Sequence, residues 1–302
     1  MSTVARTPVV ALVGPTATGK SGLGVALAQA LGGEVVNADA MALYRGMDVG
    51  TAKLAPAERA GVPHHLLDVL DVTETASVAA YQRDARATIE RLLGEGRVPI
   101  LVGGSGLYVR AVLDELEFPG TDPDIRGRLE QELAASGAER LHERLTRLDP
   151  TAAAAVLPSN GRRIVRALEV IELTGRPFSA TMPRPGPTRY DTLQIGLDLD
   201  TGELDRRVEL RVTRMFADGL ADEVRRLEKE GLRVGRTASR ALGYQQVLDQ
   251  LDADEDMAVA AAATAQATRR FVRRQRSWFR RDQRIHWLDA TRDDLLAAAL
   301  AL

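Results

Sequence analysis

The first hundred residues alternate between short unbroken apolar runs and longer segments with helical spacing. Val9-Val10-Ala11-Leu12-Val13 offers no polar position to water, so it predicts a strand buried on both faces. A helix follows over Gly22 to Ala28, and Glu34-Val35-Val36-Asn37-Ala38-Asp39 reads as a second short strand that ends on an acid. Tyr81 to Leu93 carries helical spacing and stops at Gly94-Glu95-Gly96. Val98-Pro99-Ile100-Leu101-Val102 predicts a third buried strand, leading through Gly103-Gly104-Ser105-Gly106 into a helix from Leu107 to about Leu113. Strands alternating with helices predict an α/β fold with a parallel sheet flanked by helices.

The pattern changes around Leu116 to Thr121. Helices are predicted at Ile125–Leu133, Ala138–Leu148, Thr151–Val156 and Arg162–Leu173, with no strand among them. Pro177, Pro183, Pro185 and Pro187 then exclude a regular helix and predict a stiff linker. Residues 115–190 are therefore expected to form a helical insertion domain within a catalytic core made of residues 1–114 and 191–302. The sheet pattern resumes at Leu193-Gln194-Ile195-Gly196-Leu197-Asp198-Leu199. One long helix is expected from Glu203 to about Glu230 and another from about Met257 to Arg281. Ile285-His286-Trp287-Leu288 closes the sheet, and the tail from Asp293 to Leu302 is a short helix.

Composition narrows the class. The chain has 302 residues, with 40 Lys plus Arg against 42 Asp plus Glu, so any polyanion must be met by local clusters. Cysteine is absent, which removes disulfides, thiol catalysis and Cys-ligated zinc. Met1 to Thr7 has no apolar segment of signal length, and no run approaches the ~18 apolar residues of a membrane helix. A soluble cytoplasmic enzyme is expected.

The candidate chemistry starts at Gly14-Pro15-Thr16-Ala17-Thr18-Gly19-Lys20-Ser21, which fits G-x-x-x-x-G-K-[ST] between strand and helix. Glycines let successive N–H groups curl inward, and the following helix adds its positive end. Lys20 can reach the outer oxygens of a diphosphate or triphosphate, and Ser21 can place a hydroxyl on Mg²⁺. Asp39, at the carboxyl end of the second strand, is expected beside this loop; an N-cap for a helix beginning at Ala40 is an equal reading. The segment from Tyr44 to Lys53 reads as a loop on the same edge of the sheet. His64-His65 lacks metal-chelating spacing and companions, which favours a structural or hydrogen-bonding role. Gly103-Gly104-Ser105-Gly106 fits tight helix–sheet packing as well as it fits ligand contact.

Three arginine groups could meet phosphates, and each could equally begin as a solvated face. They are Arg162, Arg163 and Arg166; Arg207, Arg211 and Arg214; and a cluster on the last long helix. There Arg269, Arg273, Arg276 and Arg280 fall within roughly 60° of arc, with Arg270, Arg274 and Arg281 beside them. Phe271, Val272, Trp278 and Phe279 fall opposite and are expected to bury. For this cluster nucleic-acid backbone contact is the favoured reading.

Several blocks together resemble one family. They are Gly14 to Ser21; Asp39 with Met47-Asp48-Val49-Gly50-Thr51-Ala52-Lys53; His64-His65-Leu66-Leu67-Asp68; Leu101-Val102-Gly103-Gly104-Ser105-Gly106-Leu107-Tyr108; Arg166-Ala167-Leu168-Glu169; Leu242-Gly243-Tyr244; and Arg274-Gln275-Arg276-Ser277-Trp278-Phe279. In order and spacing, over nearly the whole chain, they look like the bacterial tRNA dimethylallyltransferases. The resemblance implies a P-loop nucleoside-triphosphate-hydrolase-like sheet with a helical, tRNA-binding insertion. It implies transfer of a dimethylallyl group from dimethylallyl diphosphate to N6 of the adenosine 3′ of the anticodon in tRNA, with Mg²⁺. The P-loop, of nucleotide-binding ancestry, would hold a prenyl diphosphate instead of ATP, in a monomer that meets the anticodon stem-loop and no membrane.

The same resemblance assigns roles. Asp39 would be the general base, with Thr16, Ser105 and Arg207 also catalytic. Gly14, Pro15, Thr16, Ala17, Thr18, Gly19, Lys20, Ser21 and Arg211 would hold the diphosphate, and Ser21 the metal. The tRNA would meet Asp39, Ala40, Met41, Ala42 and Ser105; Arg126, Arg162, Arg163, Ile164, Val165 and Arg166; and Arg240, Gly243, Tyr244, Arg273 and Arg276. The chain departs from the family at Ala40, where Ser is frequent, near Ala42, where Gln is frequent, and at Ser105, where Thr is usual. Two other readings stay open. A P-loop kinase or NTPase needs an acid after a buried strand, yet Ile100-Leu101-Val102 leads to Gly103. A non-enzymatic RNA-binding protein would use the arginine helix and have no need of Asp39.

Overall fold

The computed structural model describes residues 8–181, 188–253 and 256–302. The chain divides into two compact units, Met1–Asp114 with Thr188–Leu302, and Glu115–Pro187. The first unit holds strands β1 (Val9–Val13), β2 (Glu34–Asn37), β3 (His64–His65), β4 (Pro99–Gly103), β5 (Thr192–Asp198) and β6 (Ile285–Asp289). They form one parallel sheet in the order β3-β2-β4-β1-β5-β6. Every residue of β1 is at most 3% exposed, the burial that its unbroken apolar run requires.

Successive β1 side chains serve two layers. Val9, Ala11 and Val13 pack with α2 (Val78–Gly94) and α3 (Gly106–Leu113), while Val10 and Leu12 pack with α1 (Lys20–Leu31) and α11 (Leu295–Leu300). Full burial of each such Val or Leu contributes roughly 1.5–3 kcal/mol, so the two layers fix the strand's register. Val13 pairs with Gly103 of β4 on one side and Gly196 of β5 on the other. The loops after β1, β2 and β4 therefore open at one carboxyl edge, where ligands gather in open α/β sheets. Gly103 is needed there because a Cβ would stand 2.2 Å from the Ala38 carbonyl oxygen.

Several local expectations change. The two-residue strand β3 is too short to carry any period, and it pairs His64 with Val35 and His65 with Val36. No helix starts at Ala40; the chain turns there. The expected helix over 203–230 is two, α7 (Thr201–Ala217) and α8 (Leu220–Lys229). Gly219 breaks it with φ 94°, a backbone state that favours glycine, and the break lets Leu220, Val224 and Leu227 join a cluster with Tyr44, Met47 and Tyr244. Helices α9 (Tyr244–Ala253) and α10 (Met257–Phe279) follow. Val272 and Phe279 bury on α10 as expected, but Trp278 is 37% exposed and Phe271 only half-buried. The buried seam of α10 runs through Ala260, Thr264, Thr268, Val272, Gln275 and Phe279, which leaves Trp278 to one side.

The second unit contains α4 (Pro123–Leu148), α5 (Pro150–Ala155) and α6 (Gly161–Thr174). Asp122 caps α4 by accepting from the N–H groups of Asp124 and Ile125, and Gly137, at φ 81°, divides that helix in two. Asn160 caps α6, and Gly175 ends it at φ 66°. Leu129, Leu141, Leu145, Ala152, Ile164 and Leu168 form this unit's core. Pro177 precedes the turn Phe178–Thr181, whereas Pro183, Pro185 and Pro187 of the expected linker lie outside the described residues. Among the described residues no helix is long and apolar enough to cross a membrane.

Candidate active site

The loop after β1 is shaped by three unusual backbone positions. Gly14 lies at φ 137°, and a Cβ there would stand 2.3 Å from the Leu197 carbonyl oxygen; Ala17 and Gly19 also have positive φ. Gly19 caps α1 without any side-chain acceptor, so the first N–H groups of that helix face outward with its positive dipole end. Thr18 steadies the loop by donating its hydroxyl to the Pro15 carbonyl at 2.9 Å. The Lys20 ammonium donates to the same carbonyl at 2.6 Å.

This loop and the end of β2 share one cavity of about 300 Å³. Thr16, Lys20, Ser21, Asp39 and Arg211 line it, with Ala42, Leu54, Leu67 and Val102 as apolar wall. Burial pushes the Lys20 amine down to about 7, Arg211 pushes it the same way, and Asp39 opposes both. Burial likewise lowers the Arg211 guanidinium, again against Asp39, and Arg211 donates to the Thr51 carbonyl at 3.0 Å. Two cations and one carboxylate that line the same cavity, the cations held back by burial, form a receptor for a polyanion.

Asp39 is held by its own strand. The Asn37 side chain accepts from the Asp39 N–H and donates to the Asp39 and Leu66 carbonyls, each at 2.9 Å. Asp39 Oδ1 accepts from the Met41 N–H at 2.9 Å, and Oδ2 takes no hydrogen bond among the described residues. The carboxylate therefore has a fixed orientation and one oxygen available for a proton. Ser105 does not line the cavity; its Oγ accepts from the Ala40 N–H at 3.2 Å and ties the second glycine turn to the residue after Asp39.

Four residues that sequence reasoning passed over complete the site. Gln275 is 6% exposed, accepts from the Thr16 N–H at 3.0 Å and donates to the Gly104 carbonyl at 2.9 Å, so one amide spans both glycine turns. Lys53, its side chain 3% exposed, donates to Asp48, Asp68 and the Tyr44 carbonyl. Glu223 accepts from the N–H groups of Asp48, Val49 and Gly50 and from the Tyr244 hydroxyl. Asn37 is the fourth. Local polarity signals none of them except Asn37, two residues before Asp39. The Glu223 clasp gives a stability prediction: Glu223→Ala strands three N–H groups and a buried hydroxyl, and urea denaturation should show a loss of about 3 kcal/mol.

Other expected site residues are engaged elsewhere. Arg207 pairs with Glu203 at 2.7 Å and lines a neighbouring cavity of about 990 Å³, not the one that holds Asp39. Tyr244 is fully buried against Glu223, and Gly243 is buried beside it. Ile164 and Val165 are core residues of the second unit, at most 2% exposed. Arg126 and Arg166 clamp the buried Glu169, and Arg166 also donates to the Pro119 and Gly120 carbonyls. Arg276 is spent on Asp198, Thr201 and the Leu199 carbonyl, and Arg273 on Asp205. Arg162, Arg163 and Arg240 are exposed. Of the residues after Asp39, Ala42 lines the cavity, while Ala40 and Met41 are half-buried beside it. His64 lines the cavity with Nδ1 on the Val62 carbonyl, and His65 meets Glu34, which are structural and hydrogen-bonding roles.

Comparison with known proteins gives a consistent set of likenesses. A family described as IPP transferase matches residues 42–282. The chain is 68% identical to the tRNA dimethylallyltransferase of Saccharopolyspora erythraea, over 97% of this chain and 94% of that one. It is 66% identical to that of Streptomyces coelicolor, over 97% and 95%. Among solved structures it is similar to the tRNA isopentenylpyrophosphate transferase of Bacillus halodurans, with TM-score 0.72, 40% identity and coverage of 98% and 94%. A eukaryotic dimethylallyltransferase acting on tRNA superposes with TM-score 0.83 at 25% identity, covering 98% of this chain and 77% of the other.

Proposed function

The chain belongs to the tRNA dimethylallyltransferase (IPP transferase) family, and from that premise we propose that it moves a dimethylallyl group from dimethylallyl diphosphate to N6 of the adenosine 3′ of the anticodon in tRNA. The observation that carries this reading is the single cavity shared by the P-loop lysine and the acid at the tip of β2. The N6 lone pair is conjugated with the adenine ring, so a base must take a proton as the new bond to carbon forms. Asp39 serves as that base through Oδ2. N6 attacks the allylic carbon, the carbon–oxygen bond to diphosphate breaks, and its electron pair leaves on the diphosphate. Lys20, Arg211 and the outward N–H groups of α1 receive that growing charge. Ala42, Leu54, Leu67 and Val102 offer the apolar wall that an isoprenoid tail needs.

Ser21, exposed toward the cavity at the first turn of α1, fits a hard cation. An ion anchored by one hydroxyl, diphosphate oxygens and water suits Mg²⁺. Such an ion would help neutralise the leaving diphosphate. Thr16 joins the cradle, and Arg207 acts from the neighbouring cavity. Arg162, Arg163 and Arg240, all exposed, would meet tRNA phosphates.

The kinase reading is tested by ATP. Because β4 ends in Gly103 and not in an acid, ADP release from ATP should stay at background with or without tRNA, while diphosphate release from dimethylallyl diphosphate should require tRNA. Sustained ADP release would restore the kinase. A further expectation concerns Gln275. Gln275→Leu uncouples the two glycine turns and should raise the KM for dimethylallyl diphosphate roughly tenfold, the cost of about one charge-independent buried hydrogen-bond pair, while the KM for tRNA holds.

A further inference from the structure

One face of α10 alternates aromatic and cationic side chains. Phe271, Arg274, Trp278 and Arg281 recur at intervals of three and four, so they share a stripe, and Arg281 continues the last turn through its N–H to the Trp278 carbonyl at 3.3 Å. The Arg274 guanidinium lies 5.8 Å above the Phe271 ring. Trp278 is 37% exposed, and Arg274 and Arg281 are exposed on either side of it. The adjacent arginines differ: Arg273, Arg276 and Arg280 are bound to Asp205 or Asp198. Arg274 and Arg281, beside the aromatics, have no acidic partner among the described residues, as Arg269 and Arg270 earlier on the helix also have none.

The stripe adjoins the active site. Trp278 rests on Gly106, where a Cβ would stand 2.1 Å from its Cδ1. Gly104, two residues earlier, lines the cavity, and Ser105 between them holds the Ala40 N–H beside Asp39. One side of the indole packs on Gly106, and its exposed part lies between two cations that have no acidic partner among the described residues. It suits a base with a π face and phosphates on both sides.

Resting on the prenyl-transfer reading, we propose that the Phe271–Arg274–Trp278–Arg281 stripe is a stacking platform for an unpaired nucleotide next to the target adenosine. The adenine must leave its stack to reach the cavity, which exposes its neighbour; the indole covers that neighbour, and Arg274 and Arg281 take the flanking phosphates. Stacking carries no base code, so the platform tolerates any base at that position.

The chain has two tryptophans, so full-length protein carrying Trp287→Phe reports Trp278 alone. Unmodified anticodon stem-loop RNA should quench that emission saturably. Trp278→Ala should raise the KM for RNA roughly tenfold and leave the KM for dimethylallyl diphosphate unchanged, and Trp278→Phe should recover most of the loss. Arg274→Gln and Arg281→Gln should each flatten the slope of log affinity against log salt by about 0.7, whereas Arg273→Gln should not. Emission that ignores saturating RNA, or slopes that do not move, would overturn the platform, including where a Trp278 variant fails to fold. If RNA quenches Trp278 but no prenyl group is transferred by wild-type protein, the prenyl-transfer reading falls and RNA stacking stands. If transfer proceeds with Trp278 silent, the platform alone falls.

Discussion

Asp39→Asn is expected to lower kcat for prenyl transfer by about 10³-fold, the usual scale of a lost general base. The substitution is conservative in structure. An amide oxygen can still accept from the Met41 N–H, and the Asn37 brace bonds the Asp39 main chain, which does not change. What disappears is the basicity of Oδ2. Single-turnover assays should therefore show slow chemistry at saturating tRNA and dimethylallyl diphosphate, with the affinity of each preserved within a factor of a few. Full activity in this variant would remove Asp39 from the chemistry. Loss of tRNA affinity in proportion to rate would mean that the residue holds RNA and does not move a proton.

Lys20→Met should abolish transfer, by about 10³-fold or more, because it removes a cation aimed at the departing diphosphate. It should also make the ligand-free protein more stable. Burial, and secondarily Arg211, hold the Lys20 amine near 7, far below an ordinary lysine. Between that value and the ordinary one the unfolded chain binds the extra proton, so the wild-type protein gains stability as pH rises through this window. Below about 7 the folded state carries the full cost of the buried charge, and Met, with no charge, escapes it. Thermal melts at pH 6.5 should place the variant above wild type, an instance of function held at the expense of stability. Diphosphate binding reverses the shift, since an anion beside the amine favours its charged form. Calorimetry in buffers of different ionisation enthalpy should show proton uptake on binding above pH 7 in wild type and less of it in Lys20→Met. Equal uptake in both proteins would place the titrating group elsewhere.

The parts of the molecule that were legible in the sequence are those whose signal is local. The apolar run of β1, the glycine loop with Lys20 and Ser21, and the acid at the end of β2 each lie within a dozen residues, and the parallel sheet orders them at one edge. The helices of 123–174 carry their own caps, Asp122, Asn160 and Gly175. The residues that clasp the site act across long stretches of chain. Gln275 reaches Thr16, and Glu223 reaches the loop at 48–50, through contacts that no periodicity encodes. The ion pairs of the arginines are illegible for a related reason. Counting them on a helical wheel ignores the acids that arrive from other elements: Asp198 from β5 and Asp205 from α7 pair with Arg276, Arg280 and Arg273, and Glu169 of α6 pairs with Arg126 of α4 as well as with Arg166 of its own helix. Trp278 was misplaced by the same wheel, because a polar residue, Gln275, occupies the buried seam where an aromatic was expected.

The central claim is that the cradle around Lys20 releases diphosphate while Asp39 readies an adenine amine a few bonds away. Mass spectrometry of nucleosides tests it most directly, after unmodified tRNA is incubated with the protein, Mg²⁺ and dimethylallyl diphosphate. A dimethylallyl-bearing adenosine should accumulate with wild-type protein and be nearly absent with Asp39→Asn. Unmodified adenosine from wild-type protein that is folded and binds the tRNA would contradict the claim.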